Sequence, residues 1–263
     1  MSNIEENYPI FDSHAHYDDE AFDEDRDAVI NELKNNNIVG VLNCGSSVKG
    51  SRMSVELAEK YDFIYAAVGI HPEMANELND EILEEFKSFA LKEKVKAIGE
   101  IGLDYYCDEN PSREIQKDVF IKQMELAKEL KLPVVIHDRE AHEDTLNIMK
   151  QFKGLNGVVH CFSGSVEFAK ECLNLGYYIG FTGVITFKNA RKIIDVAKEV
   201  PIDRMLIETD CPYLSPVPLR GKRNRSENIK FIVDKIATVK NMEINEICCK
   251  TILNTKGLLN LNF

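Results

Sequence analysis

Short apolar runs alternate with longer segments of helical period along the whole chain, and eight such rounds can be counted. Several runs, among them VVI, GVV and MLI, are apolar on successive residues. Continuous apolar runs are typical of parallel strands that helices cover on both faces. The runs begin at Ile10, Ile38, Phe63, Val95, Pro133, Gly157, Tyr177 and Arg204. The pattern therefore predicts eight strand–helix units.

Eight strand–helix units in about 240 residues have the size of a closed (β/α)8 barrel, the TIM barrel, in the α/β class. A doubly wound open sheet is the structural alternative. The tail INEICCKTILNTKGLLNL predicts an extra C-terminal helix, which we expect on the outside of the barrel. No Pro/Gly/Ser-rich linker divides the chain, so residues 1–263 are interpreted as one domain.

The composition excludes several classes of protein. The 263 residues are 44% hydrophobic and 29% charged, as in an ordinary globular protein. No apolar run approaches the roughly 18 residues of a membrane-spanning helix, and the first residues lack the features of an export signal. The seven cysteines form no CxxC pair. We therefore expect a cytoplasmic protein with reduced thiols, no membrane attachment and no obligate protein partner.

The charge of the chain argues against a protein that coats nucleic acid through its overall field, because the formal net charge is −12. A polyanionic substrate would have to be attracted locally, by bound cations or by a short basic cluster. One such cluster, PLRGKRNR, runs from Pro218 to Arg225. A solvated loop with scattered charge is an equally good interpretation of it.

Unusual polar residues concentrate at the carboxyl ends of the predicted strands, where a barrel carries its active site. They are Asp12, His14, His16, His71, Glu100, Asp104, His137, His160, Glu208 and Asp210. The spacing of two between the first three predicts that they project from one face of the strand. A single histidine would more often be a surface or core residue. Five of six histidines at strand ends, together with carboxylates, indicate a bound cation, since unpaired buried polar groups are destabilising.

Imidazole and carboxylate form a donor set that suits Zn, Mn, Fe, Co or Ni. A bridging carboxylate can hold two such ions about 3.5–4 Å apart. Glu100 comes from the middle of the strand series and is the expected bridge. The expected ligands of one ion are His14, His16, Asp210 and Glu100, and those of the other are Glu100, His137 and His160.

Seven ordered motifs give the chain a resemblance to the TatD-type metal-dependent deoxyribonucleases of the amidohydrolase superfamily. They are DSHAH (Asp12 to His16), VGIHP (Val68 to Pro72), IGEIGLDYY (Ile98 to Tyr106), PVVIHDR (Pro133 to Arg139), HCFSG (His160 to Gly164), IETDCPYLSP (Ile207 to Pro216) and PLRGKRN (Pro218 to Asn224). The resemblance implies a TIM barrel and a hydrolase that uses two divalent ions, Mg or Mn, on DNA phosphodiester bonds. The family's six metal ligands match the six residues named above.

One position departs from the family pattern. After RGKRN the family usually continues with Glu-Pro, whereas this chain has Arg225, Ser226 and Glu227. The extra arginine could strengthen phosphate binding, or it could begin a helix with Ser226 as its N-cap.

The remaining candidates are assigned roles around the ions. Asp210 is the expected general base for a water that the two ions activate, and Glu100 is the second catalytic carboxylate. The phosphate is expected to be held by His71, Ser163 and Arg223, and ligands and water to be oriented by Asp12, Asp104 and Glu208. Structural roles compete with these assignments, because His71 could cap a turn, Ser163 a helix, and Glu208 could pair with a basic residue.

The predicted function is a 3′-5′ exonuclease that trims single-stranded or frayed DNA ends. Bases could stack on Tyr105, Tyr106, Phe162 or Tyr213, although packing around the site is the commoner role of such residues. One alternative keeps the ions and changes the bond, as in a deacylase or amidohydrolase acting on an ester or amide such as an aminoacyl-tRNA. A second alternative is a barrel whose ions are structural and whose surface docks a partner.

Overall fold

The computed structural model describes residues 8–262. Its eight strands are β1 (Ile10–Ala15), β2 (Ile38–Cys44), β3 (Ile64–Val68), β4 (Val95–Asp104), β5 (Val134–Arg139), β6 (Gly157–Val159), β7 (Tyr178–Phe181) and β8 (Met205–Ile207). Its α-helices are α1 (Arg26–Leu33), α2 (Val48–Lys60), α3 (Asp80–Ala90), α4 (Arg113–Leu130), α5 (His142–Met149), α6 (Val166–Asn174), α7 (Arg191–Glu199), α8 (Ile229–Lys240) and α9 (Ile244–Leu259). The expectation about an export signal concerns the first residues of the chain, most of which lie outside this range.

The strands form one parallel sheet in the order β1 to β8. The first and last strands meet where the amide of Asp210 donates to the carbonyl of His14 at 3.0 Å and the amide of His16 donates to the carbonyl of Cys211 at 2.8 Å. A parallel bridge between Ala15 and Cys211 lies at the same point. The predicted (β/α)8 barrel is therefore confirmed, and the open sheet is excluded.

Each strand turns alternate residues to the barrel interior and to the helices. The inner residues form one apolar cluster, which includes Phe11, Leu42, Ala67, Ala97, Val135, Val158 and Leu206. Their neighbours along the strands belong to the larger core under the helices. His137, His160 and Glu208 come two residues after Val135, Val158 and Leu206, so they lie on the inner face, above the apolar layer.

The last helix lies elsewhere than the sequence predicts. α9 packs against β1 and β8, and Leu258, Leu259 and Leu261 join the apolar cluster of the barrel interior. The expectation that α9 lies on the outside is therefore wrong for its carboxyl-terminal end, which covers the amino-terminal end of the barrel. The physical reason is that the inner residues would otherwise contact water there. Within residues 8–262, no helix combines the length and hydropathy needed to cross a membrane.

Two strands also deviate from the predicted pattern. The apolar run YYIGFTGVI, which begins at Tyr177, predicts a strand as far as Ile185, but β7 ends at Phe181 and a short 3-10 helix, Gly183–Thr186, follows. In β1, the pairing register with β2 shifts between Asp12 and Ala15, which indicates a bulge. A bulge interrupts the alternation of side chains along a strand, so residues on its two sides need not share a face.

Candidate metal centre

The carboxyl ends of five strands bring the six predicted ligands together at one mouth of the barrel. Three overlapping groups have all their donor atoms within 4.8 Å of one another: His14, His160 and Asp210; His14, His16 and Glu100; and His71, Glu100 and His137. Most of these side chains are buried. The clustering that the strand-end pattern predicts is thus present in the structure.

Glu100 lies between two sets of histidines and turns one carboxylate oxygen to each. Its Oε2 atom is 3.4 Å from Nε2 of His14 and 3.5 Å from Nε2 of His16. Its Oε1 atom is 2.7 Å from Nε2 of His160 and 2.9 Å from Nδ1 of His137. Each carboxylate oxygen of Glu100 therefore faces its own set of nitrogen donors.

The contact between His14 and His16 tests whether these residues fit a cation. Their Nε2 atoms are 2.9 Å apart, and both face Oδ1 of Asp210, at 3.6 and 3.3 Å. His16 uses its other nitrogen, Nδ1, to donate to the carbonyl of Cys44 at 2.7 Å. Neutral His16 therefore presents a bare lone pair at Nε2 toward Oδ1 of Asp210, and these two acceptors repel unless a proton or a cation lies between them. The donor set fits a divalent cation.

His137 is oriented by a carboxylate in the same way. Its Nε2 atom is 3.0 Å from Oδ2 of Asp104, which accepts this hydrogen bond and leaves the Nδ1 lone pair directed at Glu100. The close approach of β4 also depends on Gly102, which pairs with His137. A Cβ atom at Gly102 would lie 1.9 Å from the carbonyl oxygen of His137, and the residue has φ +146°. Only glycine is accommodated there.

Glu208 supports the backbone beside His160. Its Oε1 atom accepts from the amide of Cys161 at 2.6 Å and lies 3.6 Å from Nδ1 of His160. Cys161 and Asp210 both have positive φ, 41° and 58°, which is uncommon for residues other than glycine. Backbone in such conformations concentrates at functional sites, where the surrounding contacts maintain it.

His71 lies in the same cluster, and its protonation state differs from that of His16 and His160. Its Nδ1 atom accepts from the amide of Glu73 at 3.3 Å, so the neutral ring carries its proton on Nε2. That nitrogen lies 3.7 Å from Oε1 of Glu100. Burial, reinforced by the charge of His137, lowers the pKa of His71 to about 3, which keeps the ring neutral. His71 therefore presents an N–H donor to the cluster, and the same residue caps the turn at Pro72.

The charges of the cluster stabilise one another. Burial alone would raise the pKa values of Glu100 and Asp210, but neighbouring histidines outweigh it and lower both. Burial disfavours protonated His16, yet the hydrogen bond to Asp210 and the charge of Glu100 raise its pKa to about 9. The pKa of His160 is also raised, chiefly by Glu100, against the effect of burial. In the metal-free protein, protons on His16 and His160 therefore balance the charges of Glu100 and Asp210.

Comparison with known proteins identifies the family. The model of the family described as TatD related DNase matches residues 11–260. The chain belongs to the TatD family. Similar proteins of this family are named metal-dependent hydrolases. This TatD-family protein is likewise a metal-dependent hydrolase.

Individual relatives cover nearly the whole chain. YabD of Bacillus subtilis (strain 168), named as an uncharacterized metal-dependent hydrolase, is 44% identical over 96% of this chain and all of its own length. A protein of Erwinia tasmaniensis named 3′-5′ ssDNA/RNA exonuclease TatD is 32% identical over 96% of this chain and all of its own length. The crystal structure of YJJV, a TatD homologue from Escherichia coli K12, has a TM-score of 0.90 at 32% identity, covering 96% of this chain and 98% of that one.

Asp12 occupies a different place in this TatD-family protein from the one that strand alternation predicts. Its Oδ2 atom accepts from the hydroxyls of Thr209 and Ser226, both at 2.6 Å, and its Oδ1 atom accepts from the amides of Thr209 and His14. The expectation that Asp12 shares a face with both imidazoles is corrected, because the bulge in β1 breaks the alternation. Asp12 instead ties β1 to the segments after β8. Ser226 is accordingly an Asp12 partner and does not cap α8, whose N-cap is Asn228.

Two predicted phosphate-binding residues lie apart from the cluster. Ser163 is exposed, and its hydroxyl donates at 3.5 Å to the carbonyl of Asp138, while Ser165 caps α6. Arg223 makes a two-pronged ion pair with Asp25, at 2.9 and 2.6 Å. The structure does not bring either side chain into contact with the histidines.

Two of the four basic residues in the cluster Pro218 to Arg225 are paired with acidic side chains. Besides the pair of Arg223 with Asp25, Arg225 contacts Glu32 at 2.6 Å and Glu227 at 3.2 Å. The sequence could not reveal Asp25 and Glu32 as partners, because they lie almost two hundred positions earlier in the chain.

Aromatic side chains at the mouth differ in their freedom. Phe162 is buried, and Tyr105 is held by a hydrogen bond from its hydroxyl to Asp144 at 2.8 Å. Tyr106 and Tyr213 are 61% and 53% exposed. Tyr213 donates to Oδ2 of Asp19 at 2.6 Å. Sequence reasoning missed Arg139, whose guanidinium carbon lies 3.8 Å from the centre of the Tyr106 ring; its spacing of two from His137 was the available signal.

Proposed function

We propose that this protein hydrolyses phosphodiester bonds of single-stranded DNA from the 3′ end, with two divalent cations, Mg or Mn. The observation that carries the proposal is the position of Glu100, whose two oxygens face two separate sets of nitrogen donors. The ligands would be the six residues predicted from the sequence. A pair of cations suits a reaction in which negative charge develops on a phosphate.

Nucleic acid as the substrate is supported by the comparisons. The matching family is described as TatD related DNase, and one relative at 32% identity is named an exonuclease of single-stranded DNA and RNA. Most of the donors at the barrel mouth are buried, so they lie at the base of the opening. A frayed strand end fits such an opening better than a continuous duplex does.

Bound divalent cations would lower the pKa of water and neutralise the charge of the phosphate. Asp210 is the proposed general base. In the metal-free protein the hydrogen bond with His16 holds the pKa of Asp210 below its ordinary value despite burial, and in the loaded protein the charge of the cations would keep the carboxylate ionised. His71, neutral and carrying a proton on Nε2, can donate a hydrogen bond to a phosphate oxygen. Asp104 holds the ring of His137 through a hydrogen bond, and Glu208 holds the backbone beside His160 through the amide of Cys161.

The proposal is tested with purified protein, Mn or Mg, and three substrates. These are a single-stranded oligodeoxynucleotide labelled at its 5′ end, the same strand in a blunt duplex, and an aminoacyl ester. We expect stepwise shortening of the single strand, slower attack on the duplex, and no reaction in EDTA. Hydrolysis of the ester with the oligonucleotide left intact would instead support the deacylase alternative.

Variants separate a catalytic centre from a structural one. Asp210→Asn should lower turnover by about 10²–10⁴-fold, as the loss of a general base does. The control is Glu84→Gln on α3, where an exposed carboxylate pairs with Lys87 on the surface. If Asp210→Asn keeps full turnover while unfolding more easily than Glu84→Gln, the centre is structural.

A further inference from the structure

The stacked pair of Tyr106 and Arg139 lies at the rim of the metal centre. Arg139 is two residues after His137 on β5, so both side chains emerge on the same side of the strand. At about 3.3 Å per residue, the Cα of Arg139 lies roughly 6.6 Å further out than that of His137. Arg139 is exposed, and its guanidinium covers one face of the Tyr106 ring.

Tyr106 is connected to the candidate metal centre through one carboxylate. Oδ1 of Asp104 accepts from the amide of Tyr106 at 2.9 Å, while Oδ2 of the same residue contacts His137 at 3.0 Å. The amide of Tyr105 also donates to the carbonyl of Arg139 at 2.9 Å. The backbone on both sides of the stacked pair is therefore fixed relative to the cluster.

The guanidinium of Arg139 keeps its hydrogen-bonding edge available. Within residues 8–262, no carboxylate lies within 4.0 Å of it, whereas Arg223 and Arg225 both pair with acids. Arg113 and Arg220 also lack such a partner in the described part of the chain, but they lie over aromatic rings, and no hydrogen bond joins them to Asp104 or a predicted ligand. In a chain of net charge −12, Arg139 is thus a cation without an acidic partner in the described residues, two positions after His137 on β5.

We propose that Tyr106 and Arg139 form a nucleotide subsite, in which the free face of the Tyr106 ring stacks on a base and Arg139 binds a backbone phosphate next to the cleaved bond. This inference rests on the proposed function. A tyrosine face accepts any base, and a guanidinium edge matches two phosphate oxygens. The stack on the tyrosine orients the guanidinium before the substrate arrives.

The subsite is tested by binding and kinetics together. Binding of a fluorescein-labelled oligothymidylate is measured by anisotropy in an Asp210→Asn background with Mn, and hydrolysis is measured in the otherwise unchanged protein. Tyr106→Ala should weaken binding about 5- to 150-fold, and Tyr106→Phe should leave it unchanged, because the ring supplies the stacking. Arg139→Gln should raise KM with little change in kcat and lower the salt slope of log Kd by about 0.7, the value for one phosphate on a single strand.

A matched pair at the other end of the barrel provides the control. Arg204 lies over the ring of Tyr178 at 5.1 Å, just before β8 begins, so it is remote from the mouth. Arg204→Gln should bind and hydrolyse the oligonucleotide as the wild type does. If Arg139→Gln and Tyr106→Ala behave like Arg204→Gln while the wild type hydrolyses DNA, the subsite is wrong and the proposed function stands. If the wild type neither binds nor hydrolyses the oligonucleotide, the proposed function fails and the subsite fails with it.

Discussion

Removing the cations should make the stability of the protein sensitive to alkaline pH. In the metal-free protein the pKa of His16 is about 9, against an ordinary value of 6.5. Because this pKa is higher in the folded protein than in the unfolded chain, protonated His16 stabilises the fold. The stabilisation is complete below pH 6.5 and is lost as the pH rises through 9. At 1.36 kcal/mol per pH unit, this difference corresponds to about 3 kcal/mol. His137 and His160, whose pKa values are also raised, act in the same direction.

The measurement is urea denaturation of chelator-treated protein at pH 6.5, 8 and 9.5, followed by circular dichroism because the chain has no tryptophan. We expect the free energy of unfolding to fall by about 3 kcal/mol or more across this range. Asp210→Asn should reduce the fall, since the hydrogen bond to Asp210 is the largest contribution that raises the pKa of His16. Cation-loaded protein should lack the fall, because bound cations hold neutral imidazoles. A metal-free protein of equal stability at all three pH values would refute the reasoning.

Three further predictions concern single substitutions. Glu100→Gln should reduce the number of divalent cations bound per chain, because both donor sets lose the charge of a shared carboxylate. The number is measured by elemental analysis after dialysis, and an unchanged metal content would contradict the bridging role. Asp12→Asn should lower the free energy of unfolding by about 1–3 kcal/mol, since an amide NH2 would face the donors Thr209 and Ser226, and an equally stable variant would show that these bonds are dispensable. Leu259→Ala should lower the free energy of unfolding, measured by urea denaturation, by about 2–5 kcal/mol, because it leaves a cavity at the end of the barrel. The control is Leu253→Ala at an exposed position of the same helix, and equal effects of the two substitutions would contradict the buried position of Leu259.

The barrel was predictable because its signals are local and repeated. Each apolar run followed by a helical segment carries the same information, and a strand misjudged at one end, as β7 is, does not change the count. The strand-end rule placed His137 and His160 correctly at the mouth because each follows its apolar run by the spacing that alternation requires. Side-chain positions can therefore be inferred from the two-residue alternation of a strand where that alternation is unbroken.

The rest depended on contacts between residues distant in the chain. The bulge in β1 moves Asp12 away from the imidazoles, and no feature of DSHAH announces it. Arg223 looks like a phosphate ligand in sequence, but Asp25, 198 positions earlier, holds its guanidinium. The proton position on His71 likewise follows from a backbone amide that only the folded turn presents.

The leucines that line the base of the barrel have a consequence for how the chain is made. β8 ends at Ile207, whereas the last of these leucines is Leu261. At about 5–20 residues per second, a ribosome needs roughly 3–10 s to add the residues between them. During that interval all eight strands have been synthesised, but Phe11 and Leu206 still lack their apolar cover, so the nascent barrel is completed only after Leu261 has left the ribosome.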